Sequence, residues 1–261
     1  RSATRALGEI QDSQAIGALI PLLGASDVNT HYDAVEALEK MDPAQLMRWL
    51  IPRLTDTNSD MRRGAVEILG KVHDPQIIAL LRPLLADSDA NVRRAVVIAL
   101  GNQRDSQVFP WLAPLLTDSD PYLCLYVITA LSKLDDARVL PLLTPLLSDP
   151  NSLVRSNTVR ALGRNEDPQM LPLLLPLIND PSTEVAVAAV ETLGKFPNLQ
   201  VIQSLVALLK SSDKYVRKAL VQVLGESKSP HTVSLLKPLL ADPIAYVRSD
   251  ATRILKKLKA L

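Results

Sequence analysis

The sequence predicts an all-α fold: a solenoid of about eight helical hairpins, each 31 residues long. Three columns of residues carry that prediction. Stepping by 31 from Leu162 in either direction meets leucine every time, at Leu7, Leu38, Leu69, Leu100, Leu131, Leu193, Leu224 and Leu255. The next column reads Gly8, Glu39, Gly70, Gly101, Ser132, Gly163, Gly194, Gly225 and Lys256. A third holds Pro21, Pro52, Pro83, Pro114, Pro145, Pro176 and Pro238, broken only by Ala207. A unit of this length cannot cover its own apolar face and has to lean on a neighbour, so the array itself is the domain. Residues 1–261 therefore read as one array. Its opening, Arg1 to Gly8, matches Ser156 to Gly163 without the Leu-Val-Arg that precedes that stretch. The array is expected to begin partway through a repeat, as a piece of a longer protein.

Composition agrees. Hydrophobic residues make up 47% of the chain but aromatics only 3%, so the core is expected to be Leu, Val, Ile and Ala, the usual filling between closely packed helices. Lys and Arg number 29 against 28 Asp and Glu, for a net charge of +1. That balance gives no global field to steer the chain onto nucleic acid or an anionic membrane. A single cysteine excludes an internal disulfide and fits a reducing, cytoplasmic setting. The most apolar runs, 139–147 and 170–178, carry prolines and fall short of the roughly 18 residues of a membrane span, so no membrane insertion is expected.

Each repeat reads as two helices. The first opens on an acid followed by proline or a substitute, as at Asp74-Pro75, Asp105-Ser106 and Asp167-Pro168. The carboxylate caps free amides, and proline suits the first helical position because the N–H it lacks would be unpaired there. An apolar stretch such as Leu112-Ala113-Pro114-Leu115-Leu116 continues it. Proline inside a helix removes a hydrogen bond and clashes with the preceding turn, so its recurrence at one position predicts a bend. An acidic turn follows, for example Asp87-Ser88-Asp89 or Asp180-Pro181. The second helix runs from Val-Arg to Ala-Leu-Gly, as from Val92-Arg93 to Ala99-Leu100-Gly101. Its apolar positions fall at i, i+4, i+7 and i+8, one face of an α-helix. The final glycine is expected to supply a left-handed cap.

The turn aspartate, the Val-Arg opening, the proline in the first helix and the Ala-Leu-Gly ending resemble HEAT repeats. The 31-residue length is most similar to the short HEAT-like repeats of the phycobilisome lyase group. The resemblance implies a right-handed α-α superhelix, with first helices on the convex side and second helices lining the concave side. It also implies a stacked ladder pairing the Val-Arg arginine with the turn aspartate. The arginines here are Arg62, Arg93, Arg155, Arg217 and Arg248, with His31, Cys124 and Ala186 in the same column. The acids are Asp56, Asp87, Asp118, Asp149, Asp180 and Asp242, with Ala25 and Ser211 as exceptions. A guanidinium fork meeting a carboxylate and turn carbonyls ties neighbouring repeats together, so these residues are expected to be structural.

Departures from the template carry more functional information. Cys124 and Ala186 interrupt the arginine column, and nearby positions expected on the concave surface turn apolar: Ile98, Leu125 and Val187, with Tyr122 and Tyr126 close in sequence. Their counterparts are polar, including Glu36, Glu67, Arg160 and Glu191 in one column and Arg63, Arg94, Ser156 and Lys218 in the other. An apolar patch in a polar groove marks a candidate interaction site, here Ile98, Leu125, Tyr126 and Val187 bordered by Arg94 and Arg160. Local repacking is the bland alternative. Lys40, Lys71, Lys133, Arg164, Lys195 and Lys257 form a broken basic row beside the glycine column, which the helix macrodipole explains.

No catalytic constellation emerges. His31, His73 and His231 lie in different repeats without metal-ligand spacing and are expected at the surface or in turns. Cys124 has no base suggested near it. Asp87, Asp89 and Asn91 imitate the start of a calcium loop, but Val92 and Ile98 occupy its glycine and glutamate positions. The sequence therefore reads as a noncatalytic scaffold or adaptor, without metal, cofactor or small-molecule ligand. Its expected partner is another protein or a neighbouring domain of the same polypeptide. Two alternatives are a bilin lyase subunit or phycobiliprotein maturation factor, on family resemblance alone, and a nucleic-acid reader using the basic row.

Overall fold

Proline recurs at one position in the first helices and sets their shape. The computed structural model describes residues 13–258 and 260, apart from 26, 119, 166, 197–200, 202–204 and 227–231. The expectations for Arg1 to Gly8 and for His231 lie outside the described residues. Within the described part, each proline of the repeating column is the second residue of a five-residue 3-10 segment that follows an α-helical turn or two. These segments are Ile20–Gly24, Ile51–Thr55, Arg82–Ala86, Ala113–Thr117, Thr144–Ser148, Leu175–Asn179 and Lys237–Ala241. Where Ala207 replaces proline, α-helix persists through residue 207 and the 3-10 segment shrinks to Leu208–Lys210. The expected bend is thus realised as a change of helix type, because proline cannot donate the bond that would continue the α ladder.

The chain forms two compact units, Arg1–Val139 and Leu140–Leu261. The first holds α1 (Ser13–Leu19), α2 (Val28–Leu38), α3 (Pro43–Leu50), α4 (Ser59–Leu69), α5 (Pro75–Leu81), α6 (Ala90–Gln103), α7 (Phe109–Leu112) and α8 (Pro121–Leu131). Beyond α9 (Val139–Leu143), which starts at the boundary, the second holds α10 (Ser152–Leu162), α11 (Leu171–Leu174), α12 (Thr183–Leu193), α13 (Lys214–Glu226), α14 (Thr232–Leu236) and α15 (Ala245–Lys257). All regular structure among the described residues is helical. Second helices neighbour one another in chain order: α2, α4, α6 and α8 in the first unit, α10, α12, α13 and α15 in the second.

Caps follow the sequence. Asp74, Asp105 and Asp167 each accept from the amide two residues on, and Asp42 accepts from Gln45. The second helices have a cap column of their own: Asp27, Asn58, Asp89, Asp120, Asn151 and Asp213 each accept from a first-turn amide. Such a cap is typically worth ~1 kcal/mol.

The leucine column is the core. Leu38, Leu69, Leu100, Leu131, Leu193, Leu224 and Leu255 are fully shielded, and Leu162 nearly so. The glycine column does something other than expected. Gly70, Gly163 and Gly194 have φ of −63°, −78° and −61°, so none makes a left-handed cap, and no described glycine has a positive φ. Glycine is needed there for close approach. A Cβ at Gly101 would sit 2.6 Å from the Ala130 Cβ, and one at Gly225 would sit 2.6 Å from Ile254 Cδ1. At Gly70, Gly101, Gly163, Gly194 and Gly225 the second helix therefore meets the next one backbone-first.

Leu100→Ala should cost about 2–5 kcal/mol in urea unfolding, and Gly101→Val about 1–3 kcal/mol through overpacking against Ala130. Lys195→Ala, at an exposed site, should stay within about 0.5 kcal/mol.

A candidate interaction groove

Bidentate ion pairs join neighbouring repeats. Arg62 Nε and Nη2 donate to the Asp87 carboxylate at 2.8 and 2.7 Å, while its Nη1 donates to the Asp56 carbonyl at 2.7 Å. Arg155 treats Asp180 and the Asp149 carbonyl in the same way, and Arg217 treats Asp242 and the Ser211 carbonyl likewise. Each acid in turn accepts from the amide two residues on, as Asp87 does from Asp89. The guanidinium hydrogen bonds hold the Asp87, Asp180 and Asp242 carboxyls below the ordinary carboxylate range, against an opposing push from burial. The turn carboxylates of Asp56, Asp118 and Asp149 accept from Asn58, Asp120 and Asn151 amides. Arg93 and Arg248 donate to the carbonyls of their own turns, Asp87 and Asp242.

The ladder shifts register at α6. There the fork that reaches the next repeat belongs to Arg94, whose Nε and Nη2 lie 2.7 and 2.9 Å from the cap residue Asp120. The same guanidinium sits 5.3 Å from the Tyr122 ring centroid. At the Ala186 step, the Thr183 hydroxyl donates to Asp213 instead. His31, expected at the surface or in a turn, is buried in an arginine slot because it finds acceptors there: the Leu23 carbonyl and the Glu67 carboxylate. His73 is exposed.

In the first unit, α2, α4, α6 and α8 line an open groove of about 460 Å³. Ile98 lies in it, 40% exposed, with Ala95 and Ala99 on the same helix. Tyr126 and Tyr32, 39% and 61% exposed, contribute from α8 and α2. Its polar members are Glu39, Arg63, Glu67, Lys71, Asn91, Arg94 and Asn102. Most of these are already engaged. Lys71 reaches back to Glu39, Arg63 lies 3.0 Å from Asp60, and Asn102 accepts from Lys133 at 2.7 Å. Lys40 likewise pairs with Glu36 at 3.0 Å.

Of the residues expected to form the patch, Ile98, Arg94 and Tyr126 share this groove. Leu125 is half-buried and does not line it. Val187, half-buried on α12, and Arg160, exposed and 3.8 Å from Glu184, belong to the second unit. Sequence reasoning passed over Tyr32, although it stands one period before Arg63 in the column already compared.

Stacked helical hairpins tied by arginine forks define a helical-repeat scaffold. HEAT repeats match residues 47–123, 109–181 and 171–256, and the PBS lyase HEAT-like repeat matches residues 1–24. The chain belongs to the HEAT-repeat family. No curated protein matches it. Among solved structures it is similar to YibA of Escherichia coli, at 19% identity and a TM-score of 0.66 over 98% of this chain and 96% of that one. It is also similar to the complex of CpcE and CpcF of phycocyanin lyase from Nostoc sp. PCC7120, at 21% identity and a TM-score of 0.53 over 94% of each. At such identities the likeness speaks to fold alone. No described helix is long and apolar enough to cross a membrane.

The depressed carboxyls fix a pH signature. An acid whose folded pKa is lowered stabilises the fold fully above its unfolded value of ~3.9, and that contribution is lost as pH falls through the folded value. Asp180→Asn should therefore destabilise at pH 7, with the gap to wild type closing in acid, read as urea midpoints along a pH series.

Proposed function

We propose that the protein is a noncatalytic scaffold or adaptor, and that the groove of the first unit docks a segment of another protein or of a neighbouring domain of the same polypeptide. One observation carries this reading. Ile98 stands exposed at a position whose counterparts are Glu36 and Glu67, in a groove whose charged side chains are engaged with one another. What such a groove still offers is apolar and aromatic surface, which suits an apolar protein segment. A cytoplasmic setting accords with the lone cysteine.

The nucleic-acid reading is the weaker one, since Lys40 and Lys71 of the basic row pair with Glu36 and Glu39 and the chain carries a net charge of only +1. A role in bilin attachment rests on likeness of fold, which carries no chemistry across.

The test is Ile98→Glu. A partner identified by cross-linking in the native cell should be purified and titrated against both forms. The variant should bind at least about tenfold more weakly, the loss of one central contact, with helical circular dichroism unchanged. Equal affinity for the two forms would remove the groove from the docking site.

A further inference from the structure

We propose that His31 works as an imidazolium in place of a ladder guanidinium, so that a single proton sets the charge that Glu67 presents to the groove. This regulation rests on reading the groove as a docking surface.

The geometry is specific. Nδ1 of His31 lies 2.8 Å from the Leu23 carbonyl oxygen, and Nε2 lies 3.1 Å from Glu67 Oε2. A carbonyl oxygen and an ionised carboxylate only accept, so both contacts are hydrogen bonds only when both ring nitrogens carry protons. A neutral ring has one N–H and would aim its other lone pair at an oxygen. The ring is 1% exposed, so water cannot stand in for the lost donor. Gly64 leaves room for the ring: a Cβ there would lie 3.2 Å from His31 Cε1. Two donors aimed at a backbone carbonyl and a carboxylate of the next repeat parallel Arg62, Arg155 and Arg217 on a smaller cation, with Leu23 in the 3-10 segment and Glu67 on α4 replacing the turn carbonyl and turn aspartate.

The charged groups facing the ring come from α4. Glu67 is bonded to it, and Arg63 lies 3.9 Å from the other Glu67 oxygen. Residues 13–24, which pack against α2 from the other side, contain no charged side chain. On its own helix the ionisable neighbours are Asp33, Glu36 and Tyr32, the last meeting the His31 ring edge-on at 5.7 Å. The Glu67 hydrogen bond raises the His31 pKa from its ordinary value, with the Leu23 carbonyl in support, and burial and Arg63 oppose it. The stability this contact gives is full below the unfolded value of ~6.5 and is lost as pH rises through the higher folded value. Above it, the neutral ring has one N–H for two acceptors, and Glu67 loses the imidazolium charge beside it, which leaves the groove one unit more negative.

The test follows the histidine ring protons by NMR in the intact protein, assigned with His31→Gln, His73→Gln and His231→Gln. The His31 midpoint should lie above the ordinary histidine value of ~6.5, and Glu67→Gln should lower it by about tenfold in proton affinity. Wild-type urea midpoints should fall between pH 6 and 9, whereas His31→Arg, which cannot lose its charge, should show no such fall. A His31 midpoint at or below the ordinary value, or an unchanged pH slope in His31→Arg, would overturn the proposal. Should His31→Gln fail to fold, the Glu67→Gln and His31→Arg measurements still decide it. No partner enters these experiments, so their failure leaves the docking reading standing, and failure of docking leaves the titration standing.

Discussion

No hairpin in this chain can cover its own apolar stripe. Each described second helix carries a shielded leucine and, within its unit, lies against another second helix, and glycines such as Gly101 let the backbones close until Ala130 fills the gap. Apolar burial supplies the bulk of the free energy, roughly 1.5–3 kcal/mol for each such leucine. It has no direction, however, and helices packed through Leu, Val and Ala could slide. The arginine fork removes that freedom. A planar guanidinium that must meet a carboxylate of the next repeat and a carbonyl of its own turn is satisfied in one register only.

At Arg93 and Ala186, where the fork to the next repeat is missing, a nearby residue carries the link. Arg94 pairs with the cap residue Asp120, and the Thr183 hydroxyl reaches Asp213. Both substitutes lie within three residues of the ladder position in sequence. The residues that depart from the repeat therefore change the surface and the register lock together. Arg94 shows this: by taking over the link, it brings an ion pair and the face of Tyr122 to the border of the groove.

Much of this was legible in the sequence. A strict period places the leucine column, the proline column and the caps of the first helices before any coordinates, because residues one period apart meet equivalent surroundings. Ile98 stood out as a departure within its column, and Tyr126 stood beside Leu125 in sequence. What could not be read was what lies opposite. Glycine at a helix end suggests a left-handed cap when the chain is read alone, and only the facing helix shows that the missing Cβ is the point, since Thr192 and Val223 stand opposite Gly163 and Gly194 as Ala130 does opposite Gly101. Leu125 looks as exposed as Ile98 in the column comparison, yet it is half-buried. His31 was counted in the arginine column, but its burial depended on a Glu67 carboxylate 36 residues away.

The charge arrangement of the groove bears on how it would recognise anything. Side chains held by Lys71–Glu39, Arg94–Asp120 and Glu67–His31 have already lost most of their rotational freedom, so a docking segment need not immobilise them. Spent on each other, they also project little net field, and the chain as a whole carries only +1. Selection would then come from the fit of an apolar side chain in the groove that Ile98, Tyr32 and Tyr126 line, and from the penalty a misplaced charge would meet among side chains already paired. In such a surface a single unpaired carboxylate has an outsized effect. That is why the one link in the groove built on a titratable ring, rather than on a guanidinium, is the one whose protonation state matters.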